Sequence, residues 1–242
     1  MECARLNRYG LLAVTGTDAR DFLHAQLTND IAHLPADRAA LAGWCTAKGR
    51  LLASLLVIPS PDGFLLQLAR DIAASTAKRL SMYVLRAKVK ITDESDKLTQ
   101  LGVWTREWSI PEVAWDGPSV RVRVDEQRYL HIGPALATEC RKSEEAWVLD
   151  EIRAGRPLIS AATQDKFVPQ MVNFDNLGAI NFQKGCYPGQ EIVARAQYRG
   201  EVKRRLVHVR APEGTQLQPG QEWNGGVVVD SAAGEALAVM PV

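Results

Sequence analysis

The chain has 242 residues, 46% of them hydrophobic and 24% charged, with a net charge of +1. That is the mix of a soluble globular protein, long enough for one large core or two smaller ones, and its charge gives no global field toward nucleic acid or membrane. No apolar run reaches the roughly 20 residues of a spanning helix, and MECARLNRYG lacks the apolar segment of a signal peptide, so a cytoplasmic protein is expected.

The first hundred residues alternate strand and helix signals. GLLAVTG (10–16) is a short apolar run ending at a turn. Thr17 is placed to cap a helix, and Leu23, Leu27, Ile31 and Leu34 recur on one helical face until Pro35. ALAGWCTA and RLLASLLVIP read as strands joined at Lys48–Gly49. GFLLQLA reads as a third strand, entered through the turn Pro61–Asp62–Gly63. Residues 71–85 form a second helix with Ile72, Thr76, Leu80 and Tyr83 or Val84 inward, and AKVKITD alternates as a strand. Strand, helix, several strands, helix and strand make a split βαβ, ferredoxin-like α+β layer.

Residues 97–133 add strands. RKSEEAWVLDEIRA (141–154) is a helix capped by Ser143 and stopped by Gly155. Residues 158–200 lack periodicity but keep Phe167, Phe174, Phe182 and Tyr187, so they read as a functional loop region rather than disorder. After Glu201, short strands between Pro/Gly turns make a small antiparallel barrel or sheet.

Four cysteines stand at 3, 45, 140 and 186, in no zinc pattern, and their scarcity in so long a chain argues against a disulfide framework. Each thiol is therefore read alone. Phosphate-loop, dinucleotide, zincin and serine-hydrolase motifs are all absent, and the four histidines are scattered, with none paired to a cysteine by the sequence.

QKGCYPGQE (183–191) is the densest stretch. Gly185 and Gly189 permit positive φ and close approach of a ligand, Pro188 stiffens the turn, and Lys184 favours a Cys186 thiolate if the two side chains converge. The competing reading, a small buried cysteine in a turn, stands beside it. Upstream, Gln170, Asn173, Asn176 and Asn181 bring amides that suit a heterocycle edge or the loop's own backbone. Downstream, Lys184, Arg195, Arg199, Lys203, Arg204, Arg205 and Arg210 face only Glu191 and Glu201, which makes either an anion-binding patch or a solvated strand face.

DFLHAQLTNDI (21–31), AKGRLLASLLV (47–57), AGRPLI (154–159) and above all FVPQMVNFDNLGAINFQKGCYPGQEIVARAQYRGEVKRRL (167–206) together resemble the folate-binding YgfZ family, relatives of the T-protein (aminomethyltransferase) of the glycine cleavage system. The signature K-G-C-Y-x-G-Q-E falls on Lys184, Gly185, Cys186, Tyr187, Gly189, Gln190 and Glu191, followed by Arg195, Tyr198, Gly200, Arg204 and Arg205.

The resemblance implies α+β layers around a central channel, divided as 1–95, 96–199 and 200–242, the last a short C-terminal β-barrel. It implies tetrahydrofolate or a derivative in the channel, and a role in assembly or repair of iron–sulfur enzymes, tRNA-modifying ones included. Cys186 is then the catalytic residue, with Lys184, Gly185, Tyr187, Gly189, Gln190, Glu191, Arg195 and Asn173 binding the cofactor. The implied partners are folate and iron–sulfur client proteins, with RNA contact as an alternative and no membrane. Two positions depart from the relatives. Ala53 and Ser54 stand where the glycine-cleavage relatives carry an acidic residue, and Arg153 where they carry a pterin-binding glutamate. The first departure removes general acid/base help for aminomethyl transfer. A one-carbon transferase and a non-enzymatic RNA or protein adaptor are the competing functions.

Overall fold

The apolar runs pair into antiparallel ladders because their period-2 patterns are separated by tight turns. The computed structural model describes residues 2–106, 111–134, 138–200 and 202–242; residues 107–110, inside the stretch expected to add strands, and Glu201 of the basic stretch lie outside these. The elements run β1 (Cys3–Arg5), β2 (Tyr9–Thr15), α1 (Ala19–Gln26), β3 (Ala40–Cys45), β4 (Leu51–Ser60), β5 (Gly63–Ala69), α2 (Ala73–Ser81) and β6 (Lys90–Asp93). They continue β7 (Thr99–Trp104), β8 (Val113–Asp116), β9 (Ser119–Arg123), β10 (Arg128–Gly133), α3 (Glu144–Arg153), α4 (Gln190–Tyr198), β11 (Arg204–Arg210), β12 (Glu222–Trp223), β13 (Gly226–Ala232) and β14 (Glu235–Pro241).

The chain divides into two units, each assembled from three separate segments. One takes Met1–Phe22, Ala32–Ala40 and Leu56–Trp147; the other takes Leu23–Ile31, Leu41–Leu55 and Val148–Val242.

In the first unit β2 lies between β5 and β6, antiparallel to both, which is the split arrangement expected. A second sheet has the order β1-β7-β10-β9-β8. Gln67 Nε2 donates to Gln100 Oε1 at 2.8 Å, and Gln100 Nε2 donates to the Tyr9 carbonyl at 2.9 Å, so the buried amides satisfy one another. Cys3 and Cys140 are joined in a disulfide, with Cα atoms 4.8 Å apart. This corrects the expectation of four separate thiols. The bridge spans 137 residues of sequence and follows from β1 pairing with β7, a contact that spacing does not reveal.

Two helices are shorter than their periodicity predicts. Rather than running to Pro35, α1 stops at Gln26, because the next polar side chains are drawn into tertiary hydrogen bonds. Thr28 Oγ1 donates to the Ala179 carbonyl and accepts from the Gly43 N–H, and Asn29 Nδ2 donates to the Leu41 and Gly178 carbonyls. Thr17 does not cap α1; its hydroxyl turns to Asp18. In α2, Thr76 and Leu80 face inward as expected, with Ile72 buried just ahead of it, but the helix ends at Ser81 and leaves Tyr83 exposed. By contrast α3 behaves as read. Ser143 Oγ accepts from the Ala146 N–H at 3.2 Å, and Gly155 ends it with φ +69°.

The second unit packs Cys45, Leu51, Ile152, Phe167, Phe174, Val193, Leu206 and Val239 into one core. Its C-terminal strands form a four-stranded sheet in the order β11-β14-β13-β12. The sheet has two edges and is not closed, so the β-barrel expected there is an open sheet. With β12 only two residues long, too little strand remains to wrap the edge back to β11.

One polar cluster ties α3 to this sheet. Arg153 grips Glu235 with Nε at 3.2 Å and a second guanidinium nitrogen at 2.7 Å, and His208 Nε2 stands 2.6 Å from the same carboxylate. The Arg153 hydrogen bond, seconded by His208, holds the Glu235 carboxyl down at about 2. A carboxyl depressed in the folded state adds stability above its unfolded value near 4.5, and that stability is lost as pH falls toward 2. Glu235→Gln should therefore be less stable than the parent at neutral pH and should lack this part of the acid-side decline between those two values. Urea unfolding midpoints across that pH range check this; an unchanged pH profile in the variant contradicts it.

Candidate functional site

The KGCYPGQE loop has little regular structure, and side chains hold it in place of a ladder. Asn181 Oδ1 accepts from the backbone N–H groups of Gln183 and Lys184, at 2.8 and 3.0 Å, and so bends the chain into the loop. The Asn181 N–H donates to the Thr28 carbonyl. Gln170 Nε2 donates to the Val193 carbonyl at 2.6 Å, and Asn173, at φ +60°, donates its amide to the Leu206 carbonyl at 2.9 Å. Three of the four loop amides are thus bound to backbone, the reading in which they satisfy the loop itself. Asn176 is exposed.

Lys184 turns inward and is 8% exposed. Its ammonium donates to the carbonyls of His24 and, at 2.7 Å, of Leu27, at the C-terminal end of α1. That end carries unsatisfied carbonyls and partial negative charge, the setting in which a cation is most favoured. The Tyr187 ring lies beneath the ammonium, 4.8 Å away. Burial pushes the Lys184 ammonium down to about 8, while the negative charges of Asp30 and Cys186 act in the opposite sense. Two of its three N–H groups are engaged, so little remains for a ligand.

Gly189 takes φ +81° and opens α4. A Cβ there would fall 2.4 Å from the Thr46 carbonyl oxygen and 2.6 Å from Gly49 Cα. The chain that approaches this glycine is therefore the β3–β4 turn, not a ligand, and Gly49, at φ +69°, meets it with its own bare face. Gly185 has no positive φ, contrary to the freedom expected of it, and a Cβ on it would meet only open space and His24 Nε2 at 4.0 Å. Tyr187 is buried, and burial, with Cys45 behind it, raises its hydroxyl above the ordinary tyrosine range.

The two free thiols have opposite settings. Cys45 is buried in the core and burial pushes it up to about 12, so it is inert. Cys186 is exposed at the turn into α4. The alternative of a buried, packing cysteine is excluded for Cys186 and describes Cys45. Helix α4 itself was not legible, since its residues carry no clean apolar stripe; Val193 alone among them is buried. It presents Gln190 half-buried, with Glu191 and Arg195 exposed and one turn apart.

The basic stretch separates into two kinds of residue. Arg205 is structural: it donates to Asp175 at 2.7 Å and to the Gln170 carbonyl at 2.9 Å. Arg195, Arg199, Lys203 and Arg204 are exposed and form no ion pair with any described residue, and Tyr198 beside them is 69% exposed. Of the departures noted above, Ser54 accepts the Ile159 N–H at 2.9 Å and Ala53 is fully buried, so neither position offers a proton-transfer group. Arg153 is held by Glu235, and Glu151 by Arg156 at 2.8 Å.

Sequence reasoning passed over two residues near the loop, His24 and Asp30. Nδ1 of His24 lies 3.2 Å from Asp30 Oδ1. Both fall within DFLHAQLTNDI, but six residues apart, a spacing that matches no helical pair; only the fold brings them to the loop.

No protein-family model matches the chain. Among curated proteins it is 33% identical to the tRNA-modifying protein YgfZ of Edwardsiella ictaluri, over 90% of this chain and 76% of that one. It is 31% identical to the protein of that name in Serratia proteamaculans, over 94% and 79%, and 32% identical to that in Vibrio vulnificus, over 96% and 78%. In fold it matches the glycine cleavage system aminomethyltransferase T of Bartonella henselae, with a TM-score of 0.69 and 15% identity over 99% of this chain and 78% of that one. The mixed α/β architecture of antiparallel sheets is thus T-protein-like, and the chain belongs to the YgfZ family of tRNA-modifying proteins.

Proposed function

We propose that the protein is a folate-binding accessory factor for assembly or repair of iron–sulfur enzymes, acting through Cys186. The observation that carries this reading is the contrast between the two free thiols: Cys45 is sealed in the core, while Cys186 is exposed on a loop whose neighbours are fixed by named hydrogen bonds. An exposed thiol on a preorganised loop is the form a reactive cysteine takes. Gln190, Glu191 and Arg195 suit folate, which offers amide-type donors at its pterin and carboxylates at its tail. When bound, folate supplies one-carbon chemistry. Asn173, Lys184 and Tyr187 support the loop, since their polar groups already serve the protein's own backbone or are buried.

Aminomethyl transfer is the weaker reading. Neither Ala53 nor Ser54 can hold or move a proton for the reacting nitrogen. Cys186→Ala should abolish complementation of a strain lacking the family member, yet keep folate binding by calorimetry and leave the thermal midpoint within about 2 °C of the parent. Full complementation by the variant contradicts the accessory reading.

The unpaired cations favour a second activity, docking of an anionic partner such as RNA or an acidic client protein. In this reading Arg199→Glu with Arg204→Glu weakens binding of a single-stranded RNA and lowers its salt dependence by about 0.7 per lost phosphate contact. Arg205 is left intact because Asp175 depends on it. Fluorescence anisotropy against salt concentration measures this, and an unaltered slope contradicts it.

A further inference from the structure

A histidine stands beside the loop thiol. Nε2 of His24 is 4.0 Å from the position a Cβ on Gly185 would take, and no other heavy atom beyond the adjoining chain is as near. The Nδ1 atom of the same ring faces Asp30 at 3.2 Å. Its main-chain carbonyl accepts from Lys184 Nζ. Cys186 follows Gly185 directly, and its negative form acts on the Lys184 ammonium, as does that of Asp30. Thiol, imidazole and carboxylate therefore gather around one buried ammonium. The order nucleophile, base and orienting carboxylate is the arrangement that activates a thiol for attack.

We propose that His24 is the proton acceptor for Cys186 and that Asp30 is the positioning residue that holds its ring. The Cys186 S–H proton passes to His24 Nε2 and leaves a thiolate beside an imidazolium. The thiolate sulfur then bonds to an electrophilic atom as the leaving group departs with its electron pair. With Lys184 and Asp30 charged, the four groups sum to zero before and after the transfer, so the step creates no net charge in the loop. The titratable groups around His24 are Asp30, Lys184 and Cys186, with Tyr187 beneath the Lys184 ammonium. The inference rests on reading Cys186 as the functional thiol, but its test does not need that function.

The test is alkylation of the full chain by iodoacetamide, with labelling of Cys186 followed by mass spectrometry and Cys186→Ser as the blank. Lys184 binds the main-chain carbonyl of His24, so His24→Gln leaves that contact in place. His24→Gln should slow labelling about tenfold near about pH 6.5, yet change it less than about twofold near about pH 9.5, where an ordinary thiol ionises unaided. Asp30→Asn should slow it by a smaller factor at the lower pH only. Equal rates for parent and His24→Gln at the lower pH overturn the proposal. Equal slowing at both pH values also overturns it, because that marks lost access or structure rather than a lost base. Complementation by Cys186→Ala would overturn the accessory reading alone, and the alkylation comparison would still decide the role of His24.

Discussion

The loop that carries Cys186 depends on one buried ammonium. Lys184 gives up hydration to meet the carbonyls of His24 and Leu27, groups that the end of α1 leaves without helical partners. This contact joins residues 160 and 157 positions apart and places His24, Asp30 and the thiol around a common charge. A neutral side chain at 184 would leave two buried carbonyls unsatisfied as well as removing the charge. The lysine of the signature is therefore better understood as a structural cation that shapes the site than as a group reaching for a ligand.

The rest of the loop is held by the same economy of side chain to backbone. Asn181, Gln170 and Asn173 supply hydrogen bonds that a strand or helix would have supplied internally, which lets a long stretch with little regular structure remain ordered. Gly189 and Gly49 add a steric condition, for the β3–β4 turn packs where either side chain would stand. The helix that begins at Gln190 therefore starts from a fixed point, and its exposed residues are displayed rather than left to wander.

Much of the architecture was legible. The Pro61–Asp62–Gly63 and Lys48–Gly49 turns, the Ser143 cap and the Gly155 stop all act where local chemistry puts them, because turns and caps depend on neighbours in sequence. Where the reading failed, long-range contacts overrode local pattern. Thr28 and Asn29 end α1 by bonding to residues near 43 and 178, against an apolar period that continues to Leu34. Arg204 and Arg205 look alike in sequence, but one is exposed and the other is bound to Asp175.

By itself the sequence determined the family, through QKGCYPGQE and its flanks, and it singled out Cys186 among four cysteines, because a dense local motif needs no fold to be read. Only the tertiary structure decided which thiols pair, which stay buried and which histidine faces the loop. Those outcomes depend on atoms brought within a few ångströms from distant positions: Cys3 with Cys140, and His24 and Asp30 with Lys184 and Gly185. No periodicity or spacing encodes such meetings, since they are set by how sheets and loops close on one another.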